Sequence, residues 1–322
     1  MYLFKVLIFL YLERVIVLNE IKVSVVIPVY NRADVIYTSI ISVLEQNGDF
    51  PIEIIIVDDF SDDRIKLLKN VNKIIEEKSS DRFEIKVLLH EENKHGGAAR
   101  NTGVRNSSGN IIAFLDSDDV WTKDKLLNCC KTLASHDIDF VYHQLTYNNN
   151  EKIIPKLGVK NGQSFMDYLI CCNGAMQTST LVFKKEAFDI ISFSEDLTKY
   201  QDFDLIYKCE QAGLKVAFIP QVMTIMDNNP NAIRISNSFD PSKSIYWLDK
   251  IKNNLSSNAK NTFIINRVVK YFCLNGQKIH AIKYMKKNMS LNITIRDMFY
   301  LGIYLFCPLF VINLVKKIKH AM

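Results

Sequence analysis

Short apolar runs alternate with amphipathic segments in the first part of the chain. A run of five to seven apolar residues between polar turns is typical of a strand that is buried on both faces of a sheet. Four such runs predict four strands, at Val23–Val29, Ile52–Val57, Ile85–Leu89 and Ile111–Leu115.

Helical spacing separates these predicted strands. Apolar residues recur on one side of the segment from Asp34 to Gln46, and helices are also predicted around Ile65–Ile75 and from Gly96 onward. Strands that alternate with helices predict an α/β fold with a mainly parallel sheet, built from right-handed crossovers.

The second half is less regular. Strands are predicted at Thr180–Phe183 and Val216–Ile219, and a helix is predicted over Asp202–Ala212. Residues 228–244 are rich in Asn, Ser and Pro and predict a loop, whereas residues 245–296 read as helices. We therefore expect an apolar N-terminal extension over 1–20, an α/β domain over 21–245 and a basic, helical appendage over 246–322. The extension lacks a small-residue cleavage site, which argues against a cleaved signal peptide.

Composition is that of a globular protein, with 48% apolar and 23% charged residues among 322. The net charge of +5 is unevenly distributed, because residues 261–322 carry ten Lys or Arg residues against one acid. Basic residues interleaved with aromatic and aliphatic ones fit an anionic membrane surface better than a nucleic acid. The apolar stretch at 298–315 contains Gly302, Pro308 and Asn313, so an interfacial or re-entrant anchor is favoured over a spanning helix. A buried C-terminal helix is the remaining alternative.

The fourth predicted strand ends in Asp116-Ser117-Asp118-Asp119. Ligands of open α/β sheets bind at the carboxyl ends of the strands, and clustered carboxylates suit Mg²⁺ or Mn²⁺. The alternative is a solvated acidic loop or a helix cap.

Four further segments carry candidate chemistry. Tyr30 and Arg32 follow the first strand, and Asp58-Asp59 ends the second, where a carboxylate can accept a hydrogen bond from a base or can cap a turn. The glycine pair Gly96-Gly97 opens a helix, which lets the backbone approach a diphosphate or simply pack closely on the sheet. Asp202, at the start of a later helix, is a candidate general base or a cap.

In their order and spacing, these segments resemble the inverting glycosyltransferases of family 2, which have the GT-A fold. The resemblance covers about residues 22–125 and is carried by Val23–Arg32, Ile54–Ser61, Gly96–Gly103 and Ala113–Trp121. It implies transfer of a hexose or N-acetylhexosamine from a UDP-sugar to a saccharide acceptor, with Asp202 as the base and Mn²⁺ or Mg²⁺ at Asp116 and Asp118. The nucleotide-sugar contacts that it implies are Pro28, Tyr30, Arg32, Asp59, Gly97, Arg100, Asp116, Ser117, Asp118 and Arg234.

Together with the basic tail, the resemblance implies a lipid-diphosphate-linked acceptor at the cytoplasmic face of the plasma membrane, in O-antigen, capsule or exopolysaccharide assembly. One departure is that Gln201 stands where the family has Glu before the base. Beyond about Gln221 the resemblance is weak. Arg234 is included as a contact because Ile233–Asn237 resembles the loop that closes over the nucleotide in the family.

Two other functions fit part of the pattern. Asp116–Val120 matches the D-x-D-x-V motif of haloacid-dehalogenase-like phosphatases, but that motif should follow the first strand rather than the fourth. A non-catalytic nucleotide-sugar-binding protein would explain the strand ends, although it would leave Asp202 without a role.

Overall fold

The computed structural model describes residues 21–78, 80–134, 137–148, 150–227 and 239–307, without the side chains of residues 150 and 151. The described residues form two compact units. The first draws its described residues from Met1–Gly158, Ala175–Asp196 and Leu205–Asn228, and the second from Val159–Gly174, Leu197–Asp204 and Asn229–Met322.

The first unit is built around one mixed sheet. Among the described residues its strands are β1 (Val23–Val29), β2 (Ile52–Asp58), β3 (Phe83–Leu89), β4 (Ile111–Phe114), β5 (Val120–Trp121), β6 (Phe140–Tyr147), β7 (Asn150–Ile154), β8 (Val182–Lys184) and β9 (Val216–Met226). The order is β3-β2-β1-β4-β8-β6-β9-β5, with β7 paired to β6. The strands β3, β2, β1 and β4 are mutually parallel, as predicted, and β8 lies antiparallel between β4 and β6.

Helices cover both faces of the parallel part, which explains why its central strands are continuously apolar. The helices of this unit are α1 (Ile36–Leu44), α2 (Arg64–Lys78), α3 (His95–Arg105), α4 (Lys125–Leu133), α6 (Lys185–Phe188) and the part of α7 (Gln201–Gln211) from Leu205 onward. Apolar residues of α1, α2 and α4 share one core with alternate residues of β1, whereas α3 packs on the opposite face. A Cβ atom at Gly103 of α3 would lie 2.3 Å from Val26 Cγ1, so glycine at this position permits the close approach of helix and sheet.

The second unit is helical in its described part. It contains α5 (Phe165–Cys171), the start of α7, α8 (Pro241–Ile251), α9 (Ser257–Phe263), a π-helix (Ile264–Val269), α10 (Lys270–Leu274), α11 (Lys278–Asn288) and α12 (Ile295–Phe306). Trp247, Phe263, Ile264, Val268 and Tyr304 are buried in its core. In the described part of the chain, no helix combines the length and the apolar content that crossing a membrane requires. Residues 1–20, and positions 308–315 of the predicted anchor, lie outside the described residues.

Candidate active site

Three parallel strands end in register at one edge of the sheet. Val29 of β1 pairs with Asp58 of β2, which pairs in turn with Leu89 of β3. The residues that follow these strands, Tyr30, Asp59 and His90, therefore emerge side by side. This register brings the ends of β1, β2 and β3 to one edge of the sheet, as was predicted for parallel strands.

Asp59 is held with one carboxylate oxygen engaged and the other available. Its Oδ1 accepts hydrogen bonds from His90 Nδ1 at 2.7 Å and from the backbone N–H of Lys94 at 2.8 Å. His90 is itself anchored, because its Nε2 lies 3.0 Å from the hydroxyl of Thr102. None of the described residues donates to Oδ2 of Asp59, so this oxygen can accept from a ligand. Neither His90 nor Thr102 was a predicted site residue, and only the register of β2 with β3 brings them to Asp59.

Asp58 and Asp59 are neighbours in sequence with different surroundings. The side chain of Asp58 is fully buried, and its Oδ2 accepts from Arg64 Nε at 2.6 Å. Arg64 also donates to the carbonyl of His90 at 2.6 Å, so the pair ties α2 to the end of β3. Asp58 thus supports the loop, which leaves Asp59 as the ligand candidate.

The loops after β1 and β2 are bonded to each other. The backbone N–H of Asn31 donates to Ser61 Oγ at 2.9 Å. The side chain of Asn31 donates to Asp62 Oδ2 at 3.1 Å and accepts from the backbone N–H of Asp62 at 2.7 Å. Two aromatic rings project from the paired loops: Tyr30 is 49% exposed and Phe60 is 50% exposed. Exposed rings at a ligand-binding edge can stack on a nucleobase. Phe60 was not predicted as a contact, although it lies inside the Ile54–Ser61 motif.

Backbone strain is concentrated at the same edge. Asn31, Phe60 and His95 have φ angles of 53°, 64° and 67°, in the left-handed region that residues with a Cβ seldom adopt. Each lies just after a strand or at the start of α3. Such strain costs about 1–3 kcal/mol per residue and is frequent at ligand-binding sites.

The glycine-rich segment forms the start of α3. Gly97 is buried there, and Arg100, one turn further on, is also buried. Arg100 Nη2 lies 2.5 Å from Asp116 Oδ1, and the guanidinium lies 5.3 Å from the centre of the Phe193 ring. Two predicted ligand-binding residues, Arg100 and Asp116, therefore form an ion pair with each other.

The acidic segment after β4 is a tight turn, in which the N–H of Asp119 donates to the carbonyl of Asp116 at 3.1 Å. Asp116 and Asp118 are partly exposed, whereas Ser117 and Asp119 are buried. Burial raises the pKa of Asp119 well above its ordinary value, and the charges of Asp116 and Asp118 raise it further. A cation at this turn would relieve the repulsion.

Ser179 organises the acidic turn. Its hydroxyl accepts from the N–H of Asp116 at 3.1 Å and donates to Asp119 Oδ2 at 2.6 Å. Its carbonyl accepts from the indole N–H of Trp121 at 2.9 Å and from the Thr224 hydroxyl at 3.0 Å. Ser179 was not among the predicted site residues, because a serine ahead of a predicted strand carries no local signal for this contact.

A metal ion needs ligands that the turn can provide only in part. No group of three His, Cys, Asp or Glu side chains in the described residues is arranged to hold a cation. Mg²⁺ and Mn²⁺ are commonly bound by one or two carboxylates together with the phosphates of the substrate. Asp118 and Asp116 fit that donor set and would hold the cation, while Asp116 also pairs with Arg100.

Pro28 in β1 and Arg32 in the loop after it are partly exposed. Two further predicted residues are Asp202 and Arg234. Asp202 belongs to the second unit and is the second residue of α7. Tyr200, two residues before Asp202, has a φ of 66°, which is again left-handed. The charge of Asp202 interacts with that of Arg267. Arg234 and its loop lie outside the described residues.

The chain is similar in sequence to known proteins. Residues 24–174 match the model of glycosyl transferase family 2. The amylovoran biosynthesis glycosyltransferase AmsB of Erwinia amylovora is 31% identical over 82% of this chain and 89% of its own length. The UDP-Glc:alpha-D-GlcNAc-diphosphoundecaprenol beta-1,3-glucosyltransferase WfgD of Escherichia coli is 35% identical over 43% of this chain and 51% of its own length.

Solved structures support the fold. S. aureus TarS 1-349 in complex with UDP-GlcNAc aligns with a TM-score of 0.59 and 20% identity over 84% of this chain and 82% of that one. The mannosyltransferase PcManGT from Pyrobaculum calidifontis, in complex with GDP-Man and Mn²⁺, aligns with a TM-score of 0.51 and 17% identity over 94% of this chain and 80% of that one. The predicted GT-A fold is confirmed, and so is the predicted glycosyltransferase function. The identity to AmsB extends over most of both chains, and we conclude that this chain belongs to glycosyl transferase family 2 and is an inverting glycosyltransferase.

Proposed function

We propose that the enzyme transfers a hexose or N-acetylhexosamine from a UDP-sugar to a lipid-diphosphate-linked saccharide. The choice of uridine depends on one observation, the hydrogen bonding of the Asp59 carboxylate. Its Oδ1 is occupied by His90 and Lys94 while Oδ2 is available, which suits an acceptor for the N3–H of uracil. The exposed rings of Tyr30 and Phe60 flank this edge and offer faces for stacking.

The diphosphate of the donor is assigned to the other end of the same edge. Pro28 and Arg32 at the end of β1, Gly97 at the start of α3 and Arg234 in the later loop complete the proposed set of donor contacts. Asp116, Ser117 and Asp118 would face the ribose and the diphosphate. Arg100 would act there through Asp116, because its guanidinium is bound to that carboxylate.

Mn²⁺ or Mg²⁺ is the proposed cofactor, held by Asp118 and Asp116 together with the donor diphosphate. When bound, the cation would neutralise the charge that develops on the departing UDP. Arg100 would keep Asp116 in place, and Ser179 would keep the turn in shape.

Asp202 is the proposed general base. It would take a proton from the acceptor hydroxyl as that oxygen attacks the anomeric carbon of the donor. The new bond would form on the face opposite the leaving UDP, as inversion requires. The proton would then reside on the Asp202 carboxyl before passing to solvent.

A location at the cytoplasmic face of the plasma membrane is part of the proposal. Four apolar residues of α12 share one helical face and are more than 60% exposed: Ile295, Met298, Phe299 and Phe306. Three lysines of α11, Lys283, Lys286 and Lys287, add positive charge. An exposed apolar helical face and a cluster of lysines in the same unit suit the interface of an anionic bilayer.

Acceptor-dependent release of UDP tests the proposed function. The full chain is incubated with Mn²⁺ and each of several UDP-sugars, with and without a GlcNAc-diphosphate lipid. Release of UDP only with the acceptor supports the proposal. Absence of release with every donor, or equal turnover of a GDP-sugar, contradicts the UDP assignment. Release of phosphate from simple phosphomonoesters without formation of UDP would instead favour the phosphatase alternative.

A further inference from the structure

The backbone ahead of Asp202 has a conformation that tyrosine seldom adopts. Tyr200 directly precedes α7, and its φ of 66° lies in the left-handed region. Its carbonyl accepts the N–H of Asp204 at 2.9 Å, so Tyr200 occupies the cap position of the helix. Serine, threonine, aspartate and asparagine are the usual residues there, because their side chains accept from the first N–H groups of a helix. Contacts elsewhere must therefore offset the cost of this conformation.

One face of α8 supplies those contacts. Ser244 and Trp247, three residues apart and therefore on the same side of this helix, are both fully buried. The hydroxyls of Tyr200 and Ser244 share a hydrogen bond at 2.8 Å. The Tyr200 ring stacks on the indole of Trp247, at 5.4 Å between ring centres. Burial raises the pKa of Tyr200, so its hydroxyl stays protonated and acts as a hydrogen-bonding group.

The same indole also contacts the residue that follows Asp202. Phe203 meets Trp247 edge to face, at 5.8 Å between ring centres, and its ring lies 6.1 Å from that of Tyr200. Asp202 therefore lies between two aromatic residues that are anchored on one buried ring. Tertiary packing thus fixes the backbone on both sides of the carboxylate.

Short-range hydrogen bonds add to this support. Asp202 Oδ1 accepts the backbone N–H of Phe203 at 2.9 Å, which ties the carboxylate to the first turn of the helix. Gln201 Nε2 donates to the carbonyl of Leu197 at 2.6 Å and so closes the turn before the helix. An ionised glutamate at this position could not donate this bond. The direction of the carboxylate therefore depends on the conformation of the two residues before it.

We propose that Tyr200 is a positioning residue for the general base. Its contacts with α8 set the direction in which the Asp202 carboxylate points. This role rests on the proposed function, in which Asp202 takes the proton of the acceptor hydroxyl. Proton transfer requires a carboxylate oxygen within about 2.6–3.2 Å of that hydroxyl, and a misplacement of about 1 Å can slow a reaction about 10²-fold. Tyr200 itself takes no part in the proton transfer.

Acceptor-dependent release of UDP by Tyr200→Phe and Ser244→Ala tests this role. Each substitution removes one partner of the hydrogen bond and keeps the stacked rings, so we expect kcat to fall about tenfold in each. The KM values of donor and acceptor should stay unchanged. The double variant should be no slower than either single variant, because both changes remove the same bond. Tyr304→Phe is the matched control and should keep full kcat, because Tyr304 is a buried tyrosine of the same unit whose hydroxyl bonds to Asn266.

The background of Asp202→Asn separates positioning from a general loss of structure. A residue that acts through the base has nothing to position once the base is removed. Tyr200→Phe should therefore leave the residual rate of Asp202→Asn unchanged. A substitution that merely loosens the fold would lower both rates by the same factor. Equal losses in both backgrounds, or an unchanged kcat in Tyr200→Phe, overturn the positioning role.

Hydrogen exchange of the full chain examines the support of α7 without any substrate. The N–H of Asp204, bonded to the Tyr200 carbonyl, should exchange faster in Tyr200→Phe and Ser244→Ala than in the wild type, but not in Tyr304→Phe. If the wild type shows no acceptor-dependent release of UDP, the proposed function fails and no base remains to be positioned, whereas faster exchange still shows that α8 holds the start of α7. If Asp202→Asn abolishes transfer while Tyr200→Phe is fully active, the positioning role alone is wrong.

Discussion

The hydroxyl of Ser179 lies 2.6 Å from Oδ2 of Asp119 and simultaneously accepts the backbone N–H of Asp116 at 3.1 Å. One buried serine, remote in sequence, thereby holds both ends of the acidic turn. The arrangement gives Ser179 a positioning role for the proposed diphosphate and cation site.

Replacing Ser179 by Ala should weaken this site. The substitution leaves the N–H of Asp116 without this partner and removes a donor from a buried carboxyl, so we expect a loss of about 1–3 kcal/mol in the free energy of unfolding. The donor KM should rise several-fold while the acceptor KM stays constant. Thr180→Val is the control, because it removes a neighbouring buried hydroxyl whose one partner in the described part of the chain is the carbonyl of Gln177. An unchanged donor KM in Ser179→Ala, or an equal change in Thr180→Val, would refute the positioning role.

Asp118→Asn should abolish the metal dependence of UDP binding. We expect the affinity of the wild type for UDP to rise with Mn²⁺ and to fall when EDTA is added, and the variant to respond about tenfold less or not at all. Calorimetry with and without the metal measures the difference. Asp124→Asn is the control, because the exposed side chain of Asp124 bonds, among the described residues, to the side chain of Asn47 alone. A full Mn²⁺ response in Asp118→Asn would remove Asp118 from the cation site.

Asp202→Asn should retain binding of UDP but lose transfer. Removal of a general base lowers kcat by about 10²–10⁴-fold, because the amide cannot take the proton of the acceptor hydroxyl. The measurement compares the UDP dissociation constant with the rate of acceptor-dependent release. Asp249→Asn makes the same change at a half-exposed residue of α8, paired with Lys252, and should retain full activity. If Asp202→Asn stays fully active, a different group is the base.

The lowered pKa of Glu53 predicts how the free energy of unfolding depends on pH. Burial of this carboxyl raises its pKa, but hydrogen bonds from Ser24, from the N–H groups of Ser108 and Gly109 and from Lys86 outweigh burial and lower the pKa to about 2. A lowered pKa stabilises the folded state fully above the ordinary value of 4.5, and this contribution is lost as the pH falls from there toward 2. The contribution at pH 7 is about 3 kcal/mol.

Urea unfolding of Glu53→Gln between pH 2 and pH 7 checks this expectation. The variant should be less stable than the wild type at neutral pH, and its stability should change less across the acid range. Glu84→Gln on β3 is the control, because that side chain is about half exposed. Identical pH profiles for Glu53→Gln and the wild type would show that Glu53 carries no such linkage.

Gly103→Ala should destabilise the first unit by about 1–3 kcal/mol, because the added methyl overlaps Val26 where α3 meets β1. Gly302→Ala in α12 is the matched helical control. A Cβ there meets no atom within 4 Å, so the higher helix propensity of alanine should leave stability unchanged or raise it by up to about 1 kcal/mol. Thermal unfolding followed by circular dichroism distinguishes the two. Equal effects of both substitutions would contradict the close packing at Gly103.

Much of the fold could be predicted because its signal is local. The run predicted as the first strand coincides with β1 at Val23–Val29, and the runs at Ile52 and Ile111 match β2 and β4 within one residue. Strand β6, at Phe140–Tyr147, was missed even though it pairs with both β8 and β9. Its run is interrupted by His143 and Gln144, so its strand character depends on partners more than thirty residues away.

Some residues of the candidate site could likewise be predicted from local sequence, and others could not. Residues adjacent to strand ends, such as Tyr30, Asp59 and Asp118, could be named because a parallel sheet brings its carboxyl ends to one edge. Partners such as His90 and Ser179 could not be named, since each is joined to its carboxylate only by strand register or by a turn between distant elements. Each of the two units is built from three separate segments of the chain, and no local sequence pattern indicates this division.

By itself the sequence determined which residues form the central strands, which edge of the sheet carries the acids, and the transferase family that the motifs resemble. These follow from side-chain periodicity and from short spacings, which act over a few residues. Only the tertiary structure decided that Asp58 supports Arg64 while Asp59 keeps an oxygen available, that Arg100 pairs with Asp116, and that Tyr200 bonds to Ser244. The physical reason is that the burial and the hydrogen-bond partners of a charged or polar group are set by which distant segments pack against it.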